Sequence, residues 1–294
     1  TDLRCMRVLR QTCQEACILG QSILNKGANQ GLETQRDLRI ELPDRVRTIL
    51  CTLISHGYEA YVVGGCVRDS LLGRTPGDWD ITTSAMPRQV KELFARTVDT
   101  GLKHGTVTVL SGREGFEITT YRIDGAYEDN RHPKEVTFTR SLLEDLRRRD
   151  FTINAMAYNE QDGLVDAFDG VLDLRRGVVQ CVGSPKERFG EDALRMLRAV
   201  RFAAQLGFAI SDHTAQAIRQ LAPDLAKISA ERVQAELLKL VMSPHPEKLR
   251  ELYTLGISRV VLPELDLMME TEQNHPHHCC TVGEHTCHRK CPDR

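Results

Sequence analysis

The chain has 294 residues, room for more than one compact unit, and its 41% apolar and 27% charged content is that of folded protein rather than wholesale disorder. No apolar run approaches the roughly 20 residues of a membrane-spanning helix, and the first residues lack the basic, apolar, small-residue order of a secretory leader, so the expectation is a cytoplasmic protein with no membrane contact. A formal net charge of −2 excludes a generally basic, nucleic-acid-coating protein but leaves room for a local basic face. Cysteines crowd the two ends, and the three in the middle, Cys51, Cys66 and Cys181, sit in apolar settings where reduced thiols are the rule.

Residues 1–37 mix Cys, Gln and Arg with no amphipathic face and read as an N-terminal extension. From Pro43 the spacing of Val46, Ile49, Leu50 and Leu53 predicts a helix that Gly57 stops, leading into a strand at Tyr61. That strand enters Gly64-Gly65, where absent Cβ atoms let backbone N–H groups approach a phosphate, and a helical turn carries Arg68 and Asp69. A Pro-Gly turn then feeds Asp78-Trp79-Asp80. On a strand, Asp78 and Asp80 would share one face roughly 6.5–7 Å apart, a spacing that suits Mg²⁺ ions about 3.5–4 Å apart. Taken singly, a Gly-Gly is usually a turn and an Asp-x-Asp usually a surface pair; their order within one short run is the specific signal.

Met86-Pro87 opens a helix from Arg88 to Ala95. Strands are predicted over Thr106–Leu110 and Phe116–Arg122, and the second alternates so that Glu117 lies opposite the Phe116, Ile118 and Thr120 face. Spacing alone leaves Glu117 either a third carboxylate beside the Asp78 and Asp80 strand or a solvent-facing side chain. Tyr127–Lys134 is a polar loop. In Leu146–Tyr158, arginines 147–149 run into Asp150 and then an apolar stretch holding Asn154. Val165–Gly183 reads as a β-hairpin with turns at Asp169-Gly170 and Arg176-Gly177, and beyond Pro185 the pattern turns helical.

The helix predicted over Glu191–Leu206 packs Ala193, Met196, Leu197, Val200, Ala203 and Ala204 on one face. Glu191, Arg195, Arg198 and Arg201 share the other, joined by Arg188 if the helix extends back. Such a fan serves either as a solvated face or as a reader of bases: Asp192 and Arg195, one turn apart, offer the acceptors and donors that match the pairing edge of cytosine. Helical spacing continues over Ala215–Leu221, Glu231–Val241 with Ser229 as N-cap, and Leu249–Leu255. The tail holds His277, His278, Cys279, Cys280, His285, Cys287, His288 and Cys291, enough soft ligands for zinc but not at standard finger spacing.

The run from Tyr61 to Thr83 resembles the first motif of the DNA-polymerase-β-like nucleotidyltransferases, in the class II branch of CCA-adding tRNA nucleotidyltransferases and bacterial poly(A) polymerases. Arg149-Asp150 with Asn154 is similar to the second motif, Glu191-Asp-Ala-Leu-Arg195 to the motif that reads the base, and Ile228–Leu238 to the last shared one. The resemblance implies an α/β nucleotidyltransferase head (residues 38–183), an all-α neck (184–246), a partial body (247–270) and, over 271–294, the truncated start of an HD-like domain. It implies Asp78, Asp80 and Glu117 as catalytic carboxylates, Mg²⁺ on Asp78 and Asp80, and nucleotide binding by Gly64, Gly65, Arg68, Arg149, Asp150, Asn154, Asp192, Arg195, Arg198 and Arg201. Tyr127–Lys134 would be the head-domain loop needed for adenosine addition. The implied function is template-independent addition of CMP, CMP and AMP to tRNA 3′ ends from CTP and ATP, with release of pyrophosphate. The alternatives are an A-adding enzyme, a poly(A) polymerase, or an inactive RNA-binding fragment. The sequence Gly101–Val109 lacks the basic, Phe-containing segment of poly(A) polymerases and favours the CCA branch.

Overall fold

The apolar tetrad Ala60–Val63 forms a strand, β2, with every residue buried, and the first structural unit is built outward from it. The computed structural model describes residues 34–35, 38–125, 136–273 and 281–287. The N-terminal extension apart from residues 34–35, the loop Tyr127–Lys134, and His277, His278, Cys279, Cys280, His288 and Cys291 lie outside the described residues, as does the side chain of His285.

Among those described, residues up to Asp124, Val136–Arg149 and Ile153–Gly170 make one compact unit, and Asp150–Thr152 with the chain from Val171 onward make a second. The changeover at Gly170 and Val171 falls ahead of the Gly183 position read from the sequence.

The first unit is a mixed sheet in the order β1-β10-β9-β2-β3-β6-β5-β4. Here β1 is Thr34–Gln35, β3 Ile81–Thr83, β4 Thr97–Gly101, β5 Thr106–Ser111, β6 Glu114–Thr120, β9 Met156–Asn159 and β10 Gly163–Asp166. β2 pairs antiparallel with both β3 and β9, while β3 runs parallel to β6. Helix α1 (Asp44–Ser55) buries Val46, Ile49, Leu50 and Leu53, as its spacing predicts; each such side chain contributes about 1.5–3 kcal/mol. Helix α2 (Gly65–Leu71) follows the glycine pair and α3 (Pro87–Leu93) follows β3. A two-stranded ribbon, β7 (Arg122–Asp124) with β8 (Val136–Phe138), precedes α4 (Leu142–Arg147).

Val165–Gly183 is not a hairpin. Asp169 adopts φ 60°, Gly170 N donates to Asp166 Oδ1 at 2.8 Å, and the chain turns into helix α5 (Gly170–Arg176) before β11 (Val178–Val179). Val171 and Leu174, three residues apart, are buried, a helical spacing that the short polar and apolar alternation concealed.

The second unit holds α6 (Pro185–Glu191), α7 (Leu194–Leu206), α8 (Asp212–Leu221), α9 (Ala230–Val241) and shorter helices after Pro246. Phe151 is fully buried in it, bridged to Cys181 and edge-on to Phe202 at 5.7 Å between ring centroids. Ser229 stands at the N-cap of α9, as expected, without a capping side-chain hydrogen bond. Gly207 ends α7 at φ 74°, where a Cβ would come within 2.7 Å of His245 Nε2.

Candidate active site

Gly64 takes φ 81° between β2 and α2, a conformation that costs a side chain energy, and its amide donates to the Met156 carbonyl at 3.2 Å. A Cβ on Gly64 would lie 3.2 Å from Arg149 Nη1, so the Arg149 guanidinium packs directly on this turn. Two residues named separately from the sequence meet here: Arg68 Nη1 donates to Asn154 Oδ1 at 2.7 Å, both side chains being buried. Arg68 also donates from Nε and Nη2 to the two carboxylate oxygens of Asp69. Its fork is thus spent on holding the glycine turn to the Asn154 segment.

Asp78 and Asp80 do not lie on a strand, because β3 begins at Ile81. The Asp80 carbonyl accepts from Val63 N at 3.0 Å, which fixes Asp80 at the mouth of the β2 and β3 pair. Register places Glu117 beside it: Ile81 pairs with Ile118, so Asp80 and Glu117 occupy the positions just before. Asp78, Asp80 and Glu117 are exposed, and Phe116, Ile118 and Thr120 are buried, as the alternation predicts.

The surroundings of Asp80 push its carboxyl up to about 6, first by the protein packed around it, then by the charge of Asp78, with Glu117 adding and Arg149 opposing. Among the described residues no three His, Cys, Asp or Glu side chains are close-set enough to hold a metal ion. Asp78 and Asp80 nevertheless fit Mg²⁺: the donors are hard oxygens, and their mutual repulsion is what a divalent cation relieves.

Sequence reasoning missed the group that holds Arg149. Asp145, fully buried on α4, accepts from Arg149 Nη2 at 3.3 Å, Arg148 Nε at 2.9 Å and Thr82 Oγ1 at 3.1 Å. Burial acts upward on its carboxyl and is outweighed by Arg148 and Arg149, which hold it below the usual range. The signal was there, an acid three and four residues ahead of two arginines.

In the second unit, Asp150 accepts from Arg198 Nε and Nη2 at 2.8 and 2.6 Å. Arg201 is buried, donating to Glu236 of α9 at 2.5 Å and to Gln205 at 2.7 Å, with its guanidinium 3.9 Å from the Phe202 ring centroid. The continuous helix expected from Glu191 is broken. Asp192 is extended (φ −144°) between α6 and α7, and its Oδ1 accepts from Leu194 N at 3.0 Å. Its other oxygen accepts from Arg232 of α9 at 2.7 Å, whereas Arg195 pairs with Glu191 and donates to the Arg188 carbonyl at 3.2 Å. The structure thus joins the Asp192 carboxylate to Arg232, while the Asp192 carbonyl accepts from Arg195 N at 3.0 Å. Ala193, Met196, Leu197, Val200, Ala203 and Ala204 are all buried, as expected. Arg232 and Glu236, one turn apart on α9, escaped notice because their partners are distant in sequence.

A strand, a glycine turn, a short helix and paired carboxylates just ahead of the next strand define a nucleotidyltransferase head. The family profile "Poly A polymerase head domain" matches residues 60–180, and "Probable RNA and SrmB- binding site of polymerase A" matches residues 207–269. The chain belongs to the family of poly(A) polymerases and CCA-adding tRNA nucleotidyltransferases. It is 55% identical over 200 residues to the CCA-adding enzyme of Lactiplantibacillus plantarum, covering 68% of this chain and 49% of that one. With the CCA-adding enzyme of Geobacillus kaustophilus it is 55% identical over 196 residues, covering 67% and 48%. The structure of the Bacillus stearothermophilus CCA-adding enzyme in complex with CTP matches at TM-score 0.69 and 47% identity, over 74% of this chain and 53% of that one. The Thermotoga maritima CCA-adding enzyme complexed with tRNA matches at TM-score 0.65 and 27% identity, over 84% and 58%. The chain spans about half the length of the curated relatives it matches.

Proposed function

We propose that this chain carries the nucleotidyl-transfer centre of a CCA-adding enzyme, joining CMP, CMP and AMP in turn to the 3′ end of tRNA and releasing pyrophosphate. The observation that carries the reading is Asp80, a carboxylate pushed upward by its surroundings and by Asp78 and Glu117, beside an arginine packed on a glycine turn. Asp78 and Asp80 would hold Mg²⁺, which would supply Lewis-acid activation of the terminal hydroxyl and offset charge on the leaving group.

The chain's own groups do the rest. Arg149, packed on the Gly64-Gly65 turn, binds triphosphate oxygens. Asn154, held by Arg68, faces the sugar. Asp192 and Arg195 read the base, with Arg195 leaving Glu191 to do so; Asp150, Arg198 and Arg201 brace the segment that carries them. Glu117 keeps the field at Asp80 negative.

The test is addition to three tRNA substrates, ending before CCA, after C and after CC, with each NTP singly and then together. CMP addition to the first two and AMP addition to the third support the proposal. Incorporation of ATP alone on all three assigns poly(A) polymerase chemistry, AMP only after CC assigns A-addition, and RNA retention without transfer assigns a binding fragment.

A further inference from the structure

We propose that Asp145 is the positioning residue of the triphosphate site: it sets the Arg149 guanidinium against the Gly64 turn, and so decides how tightly the phosphate chain of an incoming nucleotide is held. The inference rests on the nucleotidyltransferase reading above.

Asp145 is fully buried, yet it faces two arginines, a threonine hydroxyl and a backbone amide. Its Oδ1 accepts from Arg148 Nε at 2.9 Å and Arg122 N at 3.4 Å, and its Oδ2 accepts from Thr82 Oγ1 at 3.1 Å and Arg149 Nη2 at 3.3 Å. These donors come from three places: β3, two residues past Asp80; the start of β7; and the turn after α4. A carboxylate gripped from several sides cannot swing, so the arginine it holds cannot swing either.

Arg149 is left with donors to spare. Its Nη1 lies on Gly64 and its Nε is buried with no hydrogen-bond partner among the described residues. A buried, unmatched guanidinium N–H is costly unless an acceptor arrives, and phosphate oxygens match a guanidinium fork. Arg149 also acts on the Asp80 carboxyl, which places it in the field of the carboxylates. Asp145 works through Arg149.

The test uses the full chain and two probes, CTP in single-nucleotide addition to tRNA and inorganic triphosphate as its competitor. Asp145→Asn keeps the shape but removes the charge. The expected result is a rise of about tenfold in both the KM for CTP and the inhibition constant of triphosphate, kcat falling by less than about threefold and circular dichroism unchanged. In an Arg149→Met background, adding Asp145→Asn should change the triphosphate constant by less than about twofold, because the route is already cut. If Asp145→Asn does not fold, Thr82→Val loosens the same carboxylate without altering charge, and a rise of about threefold in the triphosphate constant is expected. Unchanged triphosphate affinity in the folded variants, or independent effects of Asp145→Asn and Arg149→Met, overturns the role of Asp145 alone. Wild-type protein that neither adds CMP nor binds triphosphate overturns the nucleotidyltransferase reading, and this assignment with it.

Discussion

At Asp80 the protein holds a negative charge where its surroundings resist one. The protein packed around it and two like charges raise the carboxyl to about 6, a cost that a divalent cation held there, as proposed above, would offset. Asp80→Asn or Asp78→Asn is therefore expected to cut single-nucleotide addition at least about a hundredfold without loss of fold, measured on tRNA ending before CCA. The glycine pair separates by geometry. Gly64→Ala must strain a left-handed φ of 81° and press on Arg149 at 3.2 Å, whereas a Cβ on Gly65 meets nothing closer than 3.7 Å. Gly64→Ala should destabilise by about 1–2 kcal/mol and raise the KM for CTP, while Gly65→Ala stays within about 1 kcal/mol of wild type in urea unfolding.

A second acid responds to pH through stability rather than chemistry. Burial raises the Glu59 carboxyl, with the Tyr121 hydroxyl opposing and the Asp162 charge adding. The folded state therefore keeps this proton to higher pH than the unfolded chain. Its stabilising contribution is complete below the usual carboxylate range and is lost as pH rises through the folded value. Glu59→Gln, uncharged throughout, should melt a few degrees above wild type at pH 7 and show no such gain near pH 4 in thermal scans.

Among the elements, α7 shows most clearly what local pattern carries. Its buried face was legible because period 3.6 is written in neighbouring residues: Met196, Leu197, Val200, Ala203 and Ala204. Its arginine face was not. Arg201 looks solvated in sequence, and is buried because Glu236 arrives from a helix thirty-five residues on. The break at Asp192 was hidden for the same reason: Glu-Asp-Ala-Leu-Arg continues a helical pattern, and the extended Asp192 is held by Arg232 from that same distant helix. The strands about Glu117 were legible from alternation, while the helix at Gly170–Arg176 was lost in a segment too short for either period to show. Glu236→Ala leaves Arg201 buried without the carboxylate that faces it, and a loss of about 3–5 kcal/mol in denaturant unfolding is expected. Arg201→Met with Glu236→Leu should recover most of it, since the apolar pair removes both charges together.

At the scale of the whole molecule, the chain does not pass once from one unit to the other. Asp150–Thr152 belongs with the helices, and the stretch that follows, Ile153–Gly170, returns to the sheet and supplies β9 and β10. This order matters on the ribosome, where the N-terminal part emerges first. The sheet cannot gain β9, the neighbour of β2, until Phe151 has already come out of the tunnel, and the ring that Phe151 packs against, Phe202, has then yet to be made. For that interval a large apolar side chain destined for full burial stands in water beside Asp150, whose partner Arg198 is also still unsynthesised. The nascent protein thus passes through a stage in which the sheet lacks β9 and β10 and Phe151, buried in the finished molecule, has no partner to pack against.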